Sequence, residues 1–147
     1  MKTLLVTIMS LALVSVSFAM DQTTIGISKV LDEPTRDSKD MILKHKETEE
    51  TVHVDRNIVL YDKYFKEISI VEGDDVSILI TLTDEGTKKF ADLTKEMVGK
   101  RLAITANNRL LSAPVVQQPI TEGTLQISGN MTKEQAEEMV ALFKKTK

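Results

Sequence analysis

The chain has 147 residues, 41% hydrophobic and 28% charged, with a net charge of −3 and no cysteine or tryptophan. That length suits one soluble domain able to bury a core unaided, and the missing cysteines exclude disulfides, a thiolate zinc site and lipid attachment through cysteine. A mildly acidic chain with 4% aromatic residues carries neither the basic footprint that nucleic acid requires nor the basic amphipathic stretch of a membrane-surface helix.

The first twenty residues read as an export signal. Lys2 starts it, an apolar stretch runs from Leu4 to Val16, and Ser17-Phe18-Ala19 sets small residues before a cut after Ala19. The rival reading is an uncleaved anchor, but the apolar core is shorter than the roughly 20 residues a spanning helix needs. Residues 1–19 are therefore expected to be removed, leaving 20–147 as a single domain in the periplasm or outside the cell.

Thr24 to Leu31 alternates as a strand does and stops before Pro34. Residues 35–50 are dense in charge of both signs, which predicts a solvated surface loop. Val52-His53-Val54 and Ile58-Val59-Leu60 are short extended pieces, and Tyr61 to Glu67 suits one helical turn. Ile68–Val71 and Val76–Leu82 are strands joined through the turn-forming Glu72-Gly73-Asp74-Asp75.

Thr83 is the expected N-cap of a helix whose first turn holds Asp84 and Glu85. Phe90, Leu93 and Met97 share one face, and Gly99 stands where a left-handed residue would end it. Arg101–Ala106 and Arg109–Val116 flank Asn107-Asn108, a hairpin turn, with Pro114 marking an edge or bulge. Gly123–Ser128 is the last strand. Thr132-Lys133-Glu134-Gln135 is a capping box, followed by the apolar stripe of Ala136, Met139, Val140 and Phe143. This order predicts an α+β two-layer sandwich: a mostly antiparallel sheet with two main helices on one face.

Catalytic patterns are missing. The sequence has no phosphate-binding glycine loop, no His-Glu-x-x-His and no serine elbow. His45 and His53 stand eight apart without a third ligand, so neither a metal nor a cofactor is expected. Asp74 with Asp75, Asp84 with Glu85, and Glu137 with Glu138 fit a turn, a helix start and a wet helix face. Ser112 has no partner base, and Met97 and Met139 belong to helix stripes. No enzyme is indicated.

One surface is less ordinary. If Val76, Ile78, Ile80 and Leu82 face the helices, Ser77, Leu79 and Thr81 face away. With Leu102, Ile104, Leu125 and Ile127 also inside, Ala103, Thr105, Thr124, Gln126 and Ser128 join that outer face. It would be flat, small and poor in charge: a plain solvent-facing sheet or a docking surface for another polypeptide.

The run from Val76 to Phe143 resembles the head subdomain of the first large periplasmic domain of SecD, a subunit of the SecD/SecF protein-export complex. The likeness is carried by Thr83-Asp84-Glu85-Gly86, Lys89-Phe90, Thr94 and Gly99-Lys100-Arg101-Leu102-Ala103-Ile104. It continues through Leu111-Ser112-Ala113-Pro114-Val115-Val116, Pro119-Ile120, Gly123, Ile127-Ser128-Gly129-Asn130-Met131-Thr132, Glu134 and Ala136. Asn107-Asn108 replaces the family's Asp-Gly, and the membrane helices and base subdomain of a SecD subunit are not expected here. The resemblance implies the fold and contact with exported or unfolded polypeptides, and it brings no catalytic residues. The expected protein is a stand-alone, non-enzymatic, exported binding module whose partner is a protein or an extended polypeptide. The alternatives are a regulatory adaptor of an envelope complex and a hydrolase of unknown type.

Overall fold

A computed structural model describes residues 25–44, 47–128 and 131–147. The expected export signal, residues 1–19, and His45 lie outside the described residues. Eight strands and two helices follow in the order β1 (Ile25–Leu31), β2 (Ser38–Lys44), β3 (Glu49–Tyr61), β4 (Phe65–Val71), β5 (Ser77–Leu82), α1 (Asp84–Glu96), β6 (Leu102–Ala106), β7 (Arg109–Ser112), β8 (Thr124–Ser128) and α2 (Lys133–Lys145). None of the described helices is long and apolar enough to cross a membrane.

The two-layer sandwich is not the architecture. The strands form two separate sheets: a five-stranded one ordered β2-β3-β1-β6-β7 and a three-stranded one ordered β4-β5-β8. All their pairings are antiparallel. The five-stranded sheet curls until its edge strands β2 and β7 touch, so it is nearly a barrel, with one core inside the curl and another against the outer side of its central strands. The main core gathers Ile25, Ile27 and Leu60 from this sheet, Ile78, Ile80 and Ile127 from the other, and Phe90, Leu93, Met139 and Phe143 from the helices. A second core fills the inside of the curl with Met41, Leu43, Val52, Val54, Ala103, Leu110 and Ala113. Strand β6 lies between the two cores and is buried at all five positions. A strand walled on both faces reads as a near-continuous apolar run, not as an alternation, and Leu102-Ala103-Ile104-Thr105-Ala106 is such a run apart from Thr105.

The charged stretch 35–50 is another correction. It holds β2, which pairs with β3 from Ser38↔Asp55 to Lys44↔Glu49. Met41 and Leu43 point into the second core while Asp40, Ile42 and Lys44 stay exposed. Charge on the wet face hid a period-two strand. Arg56 fastens its start, donating from Nε to the Ser38 carbonyl at 3.0 Å.

The local signals read from the sequence do form. Thr83 Oγ1 accepts the Gly86 N–H at 3.0 Å and caps α1. Gly99 takes φ +79 after the helix, and Asn107 and Asn108 turn the β6–β7 hairpin at φ 46 and 61. Thr132 and Gln135 make both bonds of the capping box. The turn after Tyr61 is a 3-10 turn, Asp62–Tyr64. Strand β7 ends at Ser112, earlier than expected; beyond Pro114 only single bridges continue, Val115 with Arg101 and Val116 with Val98.

Candidate functional site

The structure divides the outer-face residues into two groups. Ser77, Leu79 and Thr81 of β5 pair with Ser128, Gln126 and Thr124 of β8, so these six share one face of the three-stranded sheet. Thr124, Gln126 and Ser128 are exposed, Leu79 and Thr81 half-buried, and Ser77 buried. Ser77 Oγ is held there, accepting from Gln126 Nε2 at 2.8 Å and donating to the Val71 carbonyl. Ala103 and Thr105 do not join them. Ala103 is 0% exposed within the second core, and Thr105, 9% exposed, donates its hydroxyl to the Gly26 carbonyl. Curling of the larger sheet turns what would have been a wet face inward.

Beside β8 the two sheets diverge and leave a crevice of about 360 Å³. Its floor comes from Ile27, Leu102 and Ile104 of the larger sheet and Phe90 of α1. One wall is Thr124, Leu125 and Gln126; the other is Pro114–Gln118 with Ile120. No charged side chain lines it. At its mouth Val115 is 48% exposed.

The second wall is irregular chain, so its backbone needs partners from elsewhere. The Leu102 N–H donates to the Pro114 carbonyl at 3.0 Å, Arg101 Nε to the Ala113 carbonyl at 2.9 Å, and the Gly99 N–H to the Val116 carbonyl at 2.8 Å. Thr94, fully buried on α1, accepts the Ile120 N–H on Oγ1 at 2.9 Å and donates to the Phe90 carbonyl at 2.8 Å. Arg101 is steadied by a forked contact with the Glu50 carboxylate, 2.6 and 3.2 Å.

This wall was missed by face-by-face reasoning, which looks only at strands. A signal was present: no charge occurs between Arg109 and Glu122, a long gap in a chain with 28% charged residues.

Charge gathers elsewhere. A larger cavity of about 630 Å³ lies where β2 meets β7, lined by Lys39, Asp40, Lys44 and Arg109 along with Met41 and Leu110. Lys39 Nζ bridges it to Asn108 Oδ1 at 3.2 Å. The perturbed carboxylates are on the surface: a hydrogen bond and charge from Lys133 lower the pKa of Glu72, and Lys29 does the same for Glu96. His53 Nδ1 lies 2.7 Å from Asp40 Oδ1. Among the described residues no three histidine, aspartate or glutamate side chains converge as metal ligands would.

The family model of the SecDF P1 head subdomain matches residues 39–146. The protein translocase subunit SecD of Acidaminococcus fermentans is 37% identical over 90 residues, 60% of this chain and 22% of that protein. SecD of Rickettsia bellii is 49% identical over 59 residues, 40% of this chain and 12% of that protein. SecDF of Thermus thermophilus is 40% identical over 67 residues, 46% of this chain and 9% of that protein. The chain thus spans less than a quarter of the length of these relatives. Among solved structures, SecDF in its super-membrane-facing form superposes with a TM-score of 0.64 at 21% identity, over 83% of this chain and 18% of that one. A structure of SecDF, a membrane component that enhances protein export, superposes with a TM-score of 0.63 at 22% identity, over 83% and 62%.

Proposed function

Because the chain belongs to the SecDF P1 head subdomain family, we propose that it serves protein export as a non-enzymatic module holding uncharged, extended segments of exported polypeptide. In this reading residues 1–19 direct export, and 20–147 act as one domain in the periplasm or outside the cell. The observation that supports it is the crevice beside β8, apolar at its floor, amide- and hydroxyl-bearing at its walls, and free of charged lining. Burying a charge there without a partner would be heavily penalised, whereas apolar side chains gain roughly 25 cal/mol per Å² removed from water. Exposed Thr124 and Gln126 offer side-chain hydrogen bonds that no particular sequence is needed to satisfy.

Affinity is expected to be weak, because ordering a flexible client consumes about 2–5 kcal/mol of the contact energy. Peptides tiled along one exported protein, followed by fluorescence anisotropy, test the reading. Uncharged apolar segments should bind and charged ones should not. Val115→Glu places a charge at the mouth on an already exposed side chain and should weaken capture about tenfold while leaving the unfolding transition in place. Binding that ignores Val115→Glu, or follows peptide charge instead of apolar content, would remove the crevice from consideration.

A further inference from the structure

Resting on that reading, we infer that the client is held as an added β-strand on the free edge of β8, with its side chains alternating between the crevice and the outer sheet face. Among the described strands, β8 hydrogen-bonds only to β5. The Leu82 N–H donates to the Gly123 carbonyl at 2.8 Å, which fixes the phase of that ladder. In an antiparallel pair the bonded residues alternate, so Leu125 and Ile127 direct their backbone groups toward β5. Thr124 and Gln126 direct theirs outward, away from the sheet.

The crevice lies along this edge. Three consecutive residues, Thr124, Leu125 and Gln126, all line it. Neighbouring side chains of a strand point to opposite faces, so a cavity touching all three meets the strand from its edge. An extended chain entering there would reach the outward N–H and C=O groups of Thr124 and Gln126. Alternate side chains would then drop beside Leu125 and Phe90.

The four edge strands differ in how they resist added strands. Natural edges are blunted by charge, bulges or brevity. Strand β2 carries Lys39, Asp40 and Lys44. Strand β4 carries Lys66 and Glu67 and has a register break between Phe65 and Glu67. Strand β7 has four residues, starts with Arg109 and pairs with a register break. Strand β8, Thr-Leu-Gln-Ile-Ser, has no charge, no proline and an unbroken register from Thr124 to Ser128. The one undefended edge is the one that borders the uncharged crevice. This selects an occupant that is extended, uncharged and able to offer backbone hydrogen bonds: a polypeptide segment, with sequence entering only through side-chain size and polarity.

The test uses the full chain and a capped peptide of alternating valine and threonine, with two versions N-methylated at every valine or at every threonine. Each version loses the backbone donors of one peptide edge. The unmodified peptide should bind and slow amide exchange at Thr124 and Gln126. At least one methylated version should bind about tenfold more weakly, since each lost hydrogen bond is part of the affinity. Gln126→Pro, which removes an outward N–H at an edge position where proline is tolerated, should weaken binding of the unmodified peptide similarly. If both methylated versions bind like the parent, strand addition is wrong while polypeptide capture in the crevice stands. If the unmodified peptide does not bind at all, both fall. A dimer of the free protein with Thr124 and Gln126 protected would show that a second copy, not a client, fills the edge.

Discussion

Thr94 is the side chain on which the crevice wall depends, and its hydroxyl can be removed with little change of shape. Thr94→Val exchanges the hydroxyl for a methyl at a residue with 0% exposure. Two bonds go. The one to the Phe90 carbonyl is a back-bond within the helix, whose loss is nearly neutral. The other leaves the Ile120 N–H without its acceptor, and an unsatisfied buried donor costs about 1–3 kcal/mol. Ile120 is only half-buried, so water reaches the freed group and the lower end applies, and the added methyl returns about 0.8 kcal/mol. The net change in global stability is therefore under about 1 kcal/mol, too small to decide anything by itself. Local opening is the better readout. Losing a bond worth about 1 kcal/mol should speed exchange of the Ile120 amide by about five- to tenfold. Thr94→Ser keeps the acceptor and should retain most of the Ile120 protection, although losing the methyl lowers global stability by about 0.5–1.5 kcal/mol. Native-state exchange on the three proteins gives opposite orders for the two readouts. An Ile120 amide as protected in the valine variant as in the parent would show that Thr94 does not hold the wall.

Two further outcomes follow from close contacts. A Cβ on Gly86 would stand 2.5 Å from the Tyr64 carbonyl oxygen, which already accepts the Thr83 N–H at 2.9 Å. Gly86→Ala should therefore lower stability in urea by about 1–3 kcal/mol from overpacking, less the ~1 kcal/mol that alanine gains in a helix; an unchanged or raised midpoint would mean that α1 lifts freely off the turn. Glu72 and Glu96 have lowered pKa values through the hydrogen bonds and charges of Lys133 and Lys29, and Glu134 through its own backbone amide and then the Thr132 hydroxyl. A depressed carboxylate contributes stability that is complete above its ordinary value of 4.5 and is lost as pH falls through the lowered folded value. These groups are fully exposed, so the effect on unfolding is small, and titration by carboxyl NMR reads it directly. Lys133→Met should return Glu72 toward its ordinary value and leave Glu96 depressed; a Glu72 titration that does not move would reject the pair.

The elements written in local code were legible: both N-caps, the glycine after α1, the Asn107-Asn108 turn and the apolar stripes of the helices. Each is decided by residues within a few positions of one another. What could not be read locally was the partition into two sheets, because alternation says that a strand has two faces and not which of them meets water. For Ser77, Leu79, Thr81, Thr124, Gln126 and Ser128 the assumption of one wet face places them together. For Ala103 and Thr105 it fails, because β2 and β3 fold over that side of β6. The uncharged run Leu102–Ala106, apolar at every position except Thr105, is the signal of two covered faces. Charge misled in the opposite direction at β2, where Lys39, Asp40 and Lys44 mask the inward pair Met41 and Leu43.

The split into two sheets is also what creates the candidate site. The chain leaves the larger sheet at the end of β7 and must cross to β8 of the smaller one. Two prolines stand in that crossing, Pro114 and Pro119, and neither can donate a ladder bond. A crossing of free donors could have continued as a strand and paired with β8, closing the gap. Instead Pro114 and Val116 are tied backward to Gly99, Lys100 and Leu102, and Ile120 is tied to Thr94. The wall is thereby fixed at one side of the crevice and the edge of β8 is left unpaired on the other. A single continuous sheet under two helices would have no such seam, and its outer face would offer a client only flat contact. The uncharged run between Arg109 and Glu122 thus has a structural cause and a proposed functional consequence in the same residues: it crosses between two cores, and it walls the crevice that borders the outer edge of β8.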